Sequence, residues 1–397
     1  MRTDLPPSLL TTKHGKRADE ILRSCVHCGF CNATCPTYQL TGDELDGPRG
    51  RIYLIRDLLE GGGDSARSRL HLDRCLTCRA CETTCPSGVA FGELAEIARN
   101  ELGAGRKGLK GLLRQFVQWL VPDTARLRRM SRLGRVARPF LPRRLSKHVP
   151  PRVGIQLESA PSAERNVLLL NGCAQQVATP KTNLHLMELL ARRGIGVEVV
   201  PEEGCCGALD QHLGDESRTL KRVRHNVDVL SPYLDRCEAI ISTASGCGVT
   251  IKDYGRLLDG DAEYAQRAHA LSSACVDVAE YLSQAGFEFA KSTDHRRIAW
   301  HPPCTLQHGM QLQGVVEKVL TRVGYELVAV RDAHLCCGSA GSYSILEPAI
   351  ADTLGRLKTE ALYEHDPGLA ATANVGCQTH LSHASGKQVV HWIELIN

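Results

Sequence analysis

The sequence predicts an α plus α/β multidomain chain: an all-helical N-terminal unit, then two α/β units that repeat one another. Three observations carry this prediction. Eight cysteines fall in two equally spaced runs within residues 1–104, set among apolar residues at helical spacing. A second cysteine pattern occurs twice within residues 166–397, the copies about 131 residues apart. Inside each copy, buried-strand runs alternate with helical ones, as in a parallel sheet flanked by helices.

The chain has 397 residues, too many for one ordinary compact core. Four segments are expected: a helical unit over 1–104, a basic linker over 105–165, and α/β units over 166–290 and 291–397. In the first segment Ile52, Leu54, Ile55, Leu58 and Leu59 give a helix its apolar face. Pro48 stands near its start and Gly61, Gly62 and Gly63 end it. Leu94, Ile97, Ala98 and Leu102 predict a second helix after Cys85.

The linker is broken by Pro122, Pro139, Pro142, Pro150 and Pro151. LKGLLRQFVQWL (109–120) reads as a short amphipathic helix, with Leu109, Leu112, Leu113, Phe116, Val117 and Trp119 as its apolar face. Residues 105–152 hold fourteen Lys and Arg against one acid, Asp123. That segment is therefore +13 in a chain of +4, which leaves −9 for the rest. Such a segment suits an anionic membrane surface or an acidic partner. Nucleic acid is disfavoured, because no DNA or RNA module accompanies the charge.

The repeat aligns Cys173, Cys205, Cys206 and Cys247 with Cys304, Cys336, Cys337 and Cys377, at offsets of 131, 131, 131 and 130. Flanking text repeats too: GCCGA (204–208) with LCCGS (335–339), and VDVAEYL (276–282) with VHWIELI (390–396). In the first copy Val167–Leu170, Val197–Val200 and Ile240–Thr243 read as strands, and Lys181–Arg193 as a helix ending at Gly194. The cysteines follow strand ends, the edge where open α/β sheets bind ligands.

Eighteen cysteines would suggest disulfides in a small secreted protein. Residues 1–20 contain no apolar signal core, and no stretch reaches the roughly 20 apolar residues of a membrane span. The chain is expected in the cytoplasm, where thiols stay reduced and clustered cysteines read as metal ligands.

The two N-terminal runs are Cys25-x2-Cys28-x2-Cys31-x3-Cys35-Pro36 and Cys75-x2-Cys78-x2-Cys81-x3-Cys85-Pro86. This is the spacing of two-cluster ferredoxins, in which the fourth cysteine of each run ligates the other cluster. Zinc sites use Cys-x2-Cys pairs without this closing proline. The expectation is two [4Fe–4S] clusters, one on Cys25, Cys28, Cys31 and Cys85, the other on Cys75, Cys78, Cys81 and Cys35. With every corner taken by thiolate, neither should perform substrate chemistry, and no catalytic residue is expected on this chain.

The second pattern, Cys…Cys-Cys-Gly…Cys, resembles the cysteine-rich "CCG" domains found in heterodisulfide reductases, in anaerobic glycerol-3-phosphate dehydrogenases and in lactate-utilisation proteins. Further clusters at Cys173, Cys205, Cys206, Cys247, Cys304, Cys336, Cys337 and Cys377 stand against the plainer reading of a reduced-thiol set. The heterodisulfide reductase version ends in Cys-x2-Cys. Here Ala244 and Asn374 occupy the first of those positions, which argues against a noncubane cluster and disulfide chemistry.

CVHCGFCNATCPTYQLTGDELDGPRGRIYLI (25–55), CLTCRACETTCPSGV (75–89), TASGCG (243–248), HLCCGSAGSY (334–343) and NVGCQTHL (374–381) resemble the glycolate oxidase iron–sulfur subunit family. The likeness spans nearly the whole chain and is weakest in the basic linker. It implies an oxidoreductase complex acting on CH–OH donors. Flavin-bearing partner subunits would oxidise glycolate, or D-lactate, and this chain would relay electrons to a non-oxygen acceptor such as quinone. It further implies a peripheral position on the cytoplasmic face of the inner membrane. The sequence itself lacks a Gly-x-Gly-x-x-Gly unit or flavin fingerprint, so neither flavin nor NAD is expected on this chain. The rivals are a disulfide reductase built on the CCG units and an iron–sulfur sensor or scaffold.

His301, His308, His334 and His380 lie near the second cysteine set and are read as hydrogen-bonded residues of a sheet edge. Cys237 and Cys275 have no repeat partner and are read as small buried residues.

Overall fold

A computed structural model describes all residues except 64, 104–107, 141–148, 150–156, 162, 285–286 and 295. The expected breaks at Pro142, Pro150 and Pro151 lie outside the described residues.

The first hundred residues are helical, with two short 3-10 turns. Pro48–Leu59 starts on its proline, whose missing N–H costs nothing in a first turn. It stops where Gly61 turns left-handed (φ 82°) and the amides of Gly62 and Gly63 bond back to the Asp57 carbonyl. Phe91–Leu102 packs against it and against two helices not foreseen from sequence, Lys13–Ser24 and Ser65–Asp73. The first of these carried a readable signal. Thr12 caps it by accepting the Gly15 amide at 2.9 Å, and Ala18, Ile21 and Leu22 line one side. Leu22, Ile55, Leu72 and Leu94 are wholly buried where these helices meet. Each contributes about 1.5–3 kcal/mol of apolar burial. This core sets the cysteine loops on a rigid base.

Among the described residues the linker holds two α-helices, Gly108–Leu120 and Thr124–Ala137. The first docks by its polar side and leaves most of its apolar face outward, available to a surface or partner. Gly111, Arg114, Val117 and Gln118 face inward, with Arg114 paired to Asp73, Lys110 to Glu347 and Gln118 donating to Asp210 at 3.0 Å. Only Val117 of the expected apolar face is buried. Leu109, Leu112, Leu113, Phe116 and Trp119 point outward. Ion pairs to Asp73 and Glu347 seat the helix on the rest of the chain.

Strands β1 (Arg165–Leu169), β2 (Ile195–Glu198), β3 (Ile240–Ser242) and β4 (Cys275–Asp277) form a parallel sheet in the order β2-β1-β3-β4. Strands β5 (Ile298–Trp300), β6 (Leu327–Val328), β7 (Leu369–Thr372) and β8 (Val389–His391) form another in the equivalent order β6-β5-β7-β8. β1 begins one residue before the expected unit. β2 lies two residues earlier than the run Val197–Val200, because its ladder with β1 ends at Glu198 and the Val199 amide bonds instead to Ser159 Oγ at 3.0 Å.

The two sheets share one core, running from Val167, Leu186 and Leu190 to Trp392, Ile393 and Ile396. The contact is reciprocal. Helix Pro180–Ala191 meets the C-terminal turn Trp392–Leu395 of the other unit, and helix Val278–Gln284 meets Val315–Val323. Equivalent faces thus pair as in an isologous dimer. Thr182 Oγ1 donates to Glu394 at 2.6 Å and His185 Nε2 bonds the Ile396 carbonyl at 2.7 Å.

Candidate metal centres

In both N-terminal runs the residues flanking the second cysteine are left-handed. His27 (φ 56°) and Gly29 (φ 84°) bracket Cys28, and Thr77 (φ 53°) and Arg79 (φ 61°) bracket Cys78. Three of these four are not glycine, so the loops hold a conformation that L-residues adopt at a cost. Such kinks turn backbone N–H groups into a concavity that suits anionic iron–sulfur groups. Cys35 and Cys85 follow a tight turn and precede Pro36 and Pro86.

The loops gather the sulfurs in two pockets. One is lined by Cys25, Cys28, Cys31, Cys81 and Cys85, with Pro48 and Phe91. The other is lined by Cys35, Cys75, Cys78 and Cys81, with Thr37 and Arg51. Each pocket thus receives the closing cysteine of the opposite run, and Cys81 borders both. Cys28 is exposed, whereas Cys25, Cys35, Cys75 and Cys81 are buried. Burial and the neighbouring sulfurs of Cys25, Cys85 and Cys28 push the Cys31 thiol up to about 11. Crowded thiolates repel, and a cation bound among them relieves that repulsion. Soft donors, left-handed loops and shared walls fit a pair of iron–sulfur clusters.

The second cysteine pattern sits at the C-terminal ends of the parallel strands. Cys173 follows β1, the Cys205–Cys206 pair follows β2, and Cys247 opens the helix Ser245–Lys252 after β3. Cys304, Cys336, Cys337 and Cys377 take the same places around β5, β6 and β7. Gly207 (φ 94°) and Gly338 (φ 90°) make the turn after each pair. At Gly338 a Cβ would come within 2.7 Å of the Ala351 carbonyl oxygen, so only glycine fits. In the first unit, contacts from Cys173 and Cys206 hold the Cys205 thiolate well below the ordinary thiol range, and those two neighbours keep their protons. In the second unit Cys304 touches Cys336, Cys336 touches Cys337 and Cys337 touches Cys377.

Sequence reasoning missed the buried charges around these sulfurs. Arg51 is 1% exposed. Its Nη1 reaches Cys35 Sγ at 3.9 Å, and its guanidinium bonds Thr37 Oγ1 and the His71 carbonyl. Arg222 faces Cys205 and Cys173, and the buried Lys358 faces Cys304, Cys337 and Cys336. Glu203 accepts the amides of Asn171 and Gly172 at 2.7 and 3.1 Å, ordering the loop that leads to Cys173, and burial pushes its carboxyl up to about 7. An Arg or Lys buried against sulfur is a weak sequence signal, since most such residues are solvated.

The histidines divide. His308 bonds Thr83 at 2.9 Å and the His334 carbonyl at 3.1 Å, and His380 bonds the Ala351 carbonyl at 3.1 Å. His301 overturns its expectation, because it is fully buried and neither ring nitrogen has a hydrogen-bond partner among the described residues. Cys237 and Cys275 are buried. The positions of Ala244 and Asn374 lie where the units meet, with the Ser245 amide bonded to the Ala373 carbonyl at 3.3 Å.

The N-terminal unit abuts only one of the two CCG sets through cysteine neighbours among the described residues. Cys78 and Leu76 pack with Cys304, Cys336 and Tyr343, and Tyr343 donates to the Arg74 carbonyl at 2.9 Å.

Comparison with known proteins agrees with this layout. Residues 21–89 match the 4Fe-4S dicluster domain family, and residues 167–252 and 298–382 match the cysteine-rich domain family. A crystal structure of a hypothetical protein from Helicobacter pylori shares the fold, with a TM-score of 0.58, 9% identity, and coverage of 96% of this chain and 72% of that one. The "Probable glycolate oxidase iron-sulfur subunit" of Bacillus subtilis (strain 168) is 30% identical across 95% of this chain and 92% of its own. The glycolate oxidase iron-sulfur subunit of Escherichia coli (strain K12) is 46% identical across 100% of this chain and 98% of its own. With likeness of that depth over its whole length, and with dicluster and cysteine-rich units in the same order, the chain belongs to the family of glycolate oxidase iron–sulfur subunits.

Proposed function

We propose that this chain carries electrons within a glycolate-oxidising complex, taking them from a flavin-bearing partner and passing them to a non-oxygen acceptor such as a quinone. The observation that supports this reading is a continuous series of sulfurs. It runs from the exposed Cys28, through Cys81 on the wall between two pockets, to Cys78 beside Cys304 and Cys336. In this reading Cys25, Cys28, Cys31 and Cys85 hold one [4Fe–4S] cluster, and Cys75, Cys78, Cys81 and Cys35 the other. Clusters so ligated supply one-electron transfer. The residues of the chain set the conditions. The crossed cysteines hold the two sites together, and burial of Cys35, Cys75 and Cys81 excludes water from the inner one. Arg51 supplies a positive charge there. Oxidation of glycolate to glyoxylate, or of D-lactate as a second substrate, falls to the partner. The exposed Val26 and Phe30 beside Cys28 are the apolar surface on which that partner would dock.

The reading is tested by purifying the complex and the isolated chain without oxygen. Glycolate should bleach the iron–sulfur absorbance in the complex and leave the isolated chain oxidised. Bleaching of the isolated chain, or undiminished dye-linked turnover by a complex from which it has been removed, would refute it.

No described helix is long and apolar enough to cross a membrane. The linker helices nonetheless suit a cytoplasmic membrane surface. Leu109, Leu112, Phe116 and Trp119 of the first helix and Leu133 and Val136 of the second are exposed, and the Arg126 guanidinium lies 5.0 Å over the Trp119 ring. Exposed apolar residues on arginine-rich helices fit anionic headgroups over an acyl boundary, at about 1 kcal/mol per basic residue. The full chain should therefore sediment with phosphatidylglycerol vesicles at low salt, and at least tenfold less with phosphatidylcholine vesicles. Leu109→Ser/Leu112→Ser/Trp119→Ser should abolish the binding. Equal sedimentation with both lipids would count against this surface.

A further inference from the structure

The second cysteine-rich unit brings an imidazole among its thiols. His301 directly follows β5 and is 0% exposed. Neither Nδ1 nor Nε2 has a hydrogen-bond partner among the described residues. Folded proteins rarely leave such a group unsatisfied. One ring nitrogen, Cys337 Sγ and Cys377 Sγ lie within 4.8 Å of one another. Ligands around a single tetrahedral metal, at about 2.0 Å for nitrogen and 2.3 Å for sulfur, stand roughly 3.5–3.8 Å apart, so small side-chain shifts close the set. Three separate elements supply the three atoms: the end of β5, the turn after β6, and the first turn of the helix Val375–Ser385. A site drawn from three elements of the sheet edge is held by the fold itself.

The first unit shows that the scaffold does not require histidine here. Aligning Cys173 with Cys304 places Leu170 at the position of His301, and Leu170 is buried at the end of β1. The same backbone therefore accepts an aliphatic side chain. A histidine in its place pays the desolvation of two ring nitrogens and gains no hydrogen bond, which a metal ligand would explain.

We propose that the second cysteine-rich unit binds a thiophilic divalent metal through mixed ligation, a His301 ring nitrogen joining Cys337 and Cys377, with Cys304 or Cys336 completing the set. Imidazole and thiolate together suit zinc or iron, and the iron can be a single ion or one iron of a cluster. The site stands apart from the relay reading and holds whether or not glycolate is the substrate.

The test uses the full-length chain, purified without oxygen, with iron, zinc and acid-labile sulfide counted per chain. The wild type should hold metal beyond the roughly eight irons of two [4Fe–4S] clusters. Excess iron rising with sulfide marks a cluster, and zinc or iron without sulfide marks a single ion. His301→Leu and His301→Gln should each lower the excess at least fivefold, leaving the eight irons in place. His301→Cys should retain it. Circular dichroism and the N-terminal EPR signals show whether each variant is folded. Absence of any excess in the wild type, or its full retention in a folded His301→Leu or His301→Gln chain, overturns the proposal.

Discussion

Cys35→Ser and Cys85→Ser are each expected to remove about four of the roughly eight irons held by the two N-terminal clusters, and to slow turnover of the assembled complex by at least a hundredfold. The two losses should fall on different clusters. Cys85 lies in the pocket of Cys25, Cys28 and Cys31, and Cys35 in the pocket of Cys75 and Cys78. Cys85→Ser should therefore remove the same EPR signal as Cys25→Ser, although the two residues stand in different runs. Double variants make the pairing explicit, because residues of one unit do not add. Cys25→Ser/Cys85→Ser should retain about four of those eight irons, like either single variant. Cys25→Ser/Cys35→Ser should lose almost all of those eight irons, whatever the second cysteine-rich unit holds. If Cys85→Ser and Cys75→Ser instead erase one common signal, each run closes its own cluster and the crossed assignment is wrong.

Arg51→Met is expected to make the inner site harder to reduce and to destabilise the helical unit. Burial opposes the guanidinium charge, but the sulfurs of Cys75 and Cys35 and the Asp46 carboxylate outweigh it. Asp46 lies 3.7 Å from Arg51 and is itself fully buried, with His71 and Arg74 as its other partners at 2.8 and 2.9 Å. Removing one member of such a set costs about 3–5 kcal/mol when it leaves buried charge uncompensated. The retained contacts of Asp46 place this case at the lower end. The electrostatic consequence is separate. The guanidinium stands 3.9 Å from Cys35 Sγ, and at an effective dielectric of about 20 two unit charges about 7 Å apart interact by about 2 kcal/mol, on the order of 100 mV for one electron. The sign follows from charge: reduction adds an electron, the lost cation no longer offsets it, and the potential falls. Arg51→Lys keeps the charge without the fork that bridges Thr37 and the His71 carbonyl. It should therefore lose stability with a smaller fall in potential. An EPR-monitored redox titration beside a thermal melt separates the two effects. A folded Arg51→Met chain whose potential lies within about 20 mV of wild type would refute the electrostatic role.

Much of this protein is legible along the chain because its chemistry is local in sequence. Four cysteines within eleven residues and a following proline describe one loop, and the loop conformation depends on its own torsions. The repeat is legible for a similar reason. A strand, a helix and a cysteine pair recur at one offset, and two copies of one unit fold alike. The Pro48–Leu59 helix was readable from its terminal signals, Pro48 and Gly61. The helix Lys13–Ser24 is harder to read although Thr12 marks its start, since its apolar stripe is short and interrupted by charge.

What escaped the sequence depends on neighbours far along the chain. The side by which the linker helix is seated depends on Arg114 and Lys110 finding Asp73 and Glu347, partners 41 and 237 residues away. His301 reads as an ordinary sheet-edge histidine until packing brings Cys337 and Cys377 to it and leaves its nitrogens without other partners among the described residues. Nothing in the repeat says which CCG unit meets the N-terminal sulfurs. That choice belongs to the contacts of Leu76 and Tyr343, which seat Cys78 against Cys304 and Cys336. The sequence by itself determined the two cysteine patterns, their spacing and the two kinds of unit, because torsion preferences and apolar periodicity act over a few residues. The tertiary structure alone decided the orientation of the linker face, the buried cations beside the sulfurs and the meeting of the helical unit with the second sheet. Those outcomes rest on desolvation and charge pairing between distant segments, and such energies exist only once the chain has closed on itself.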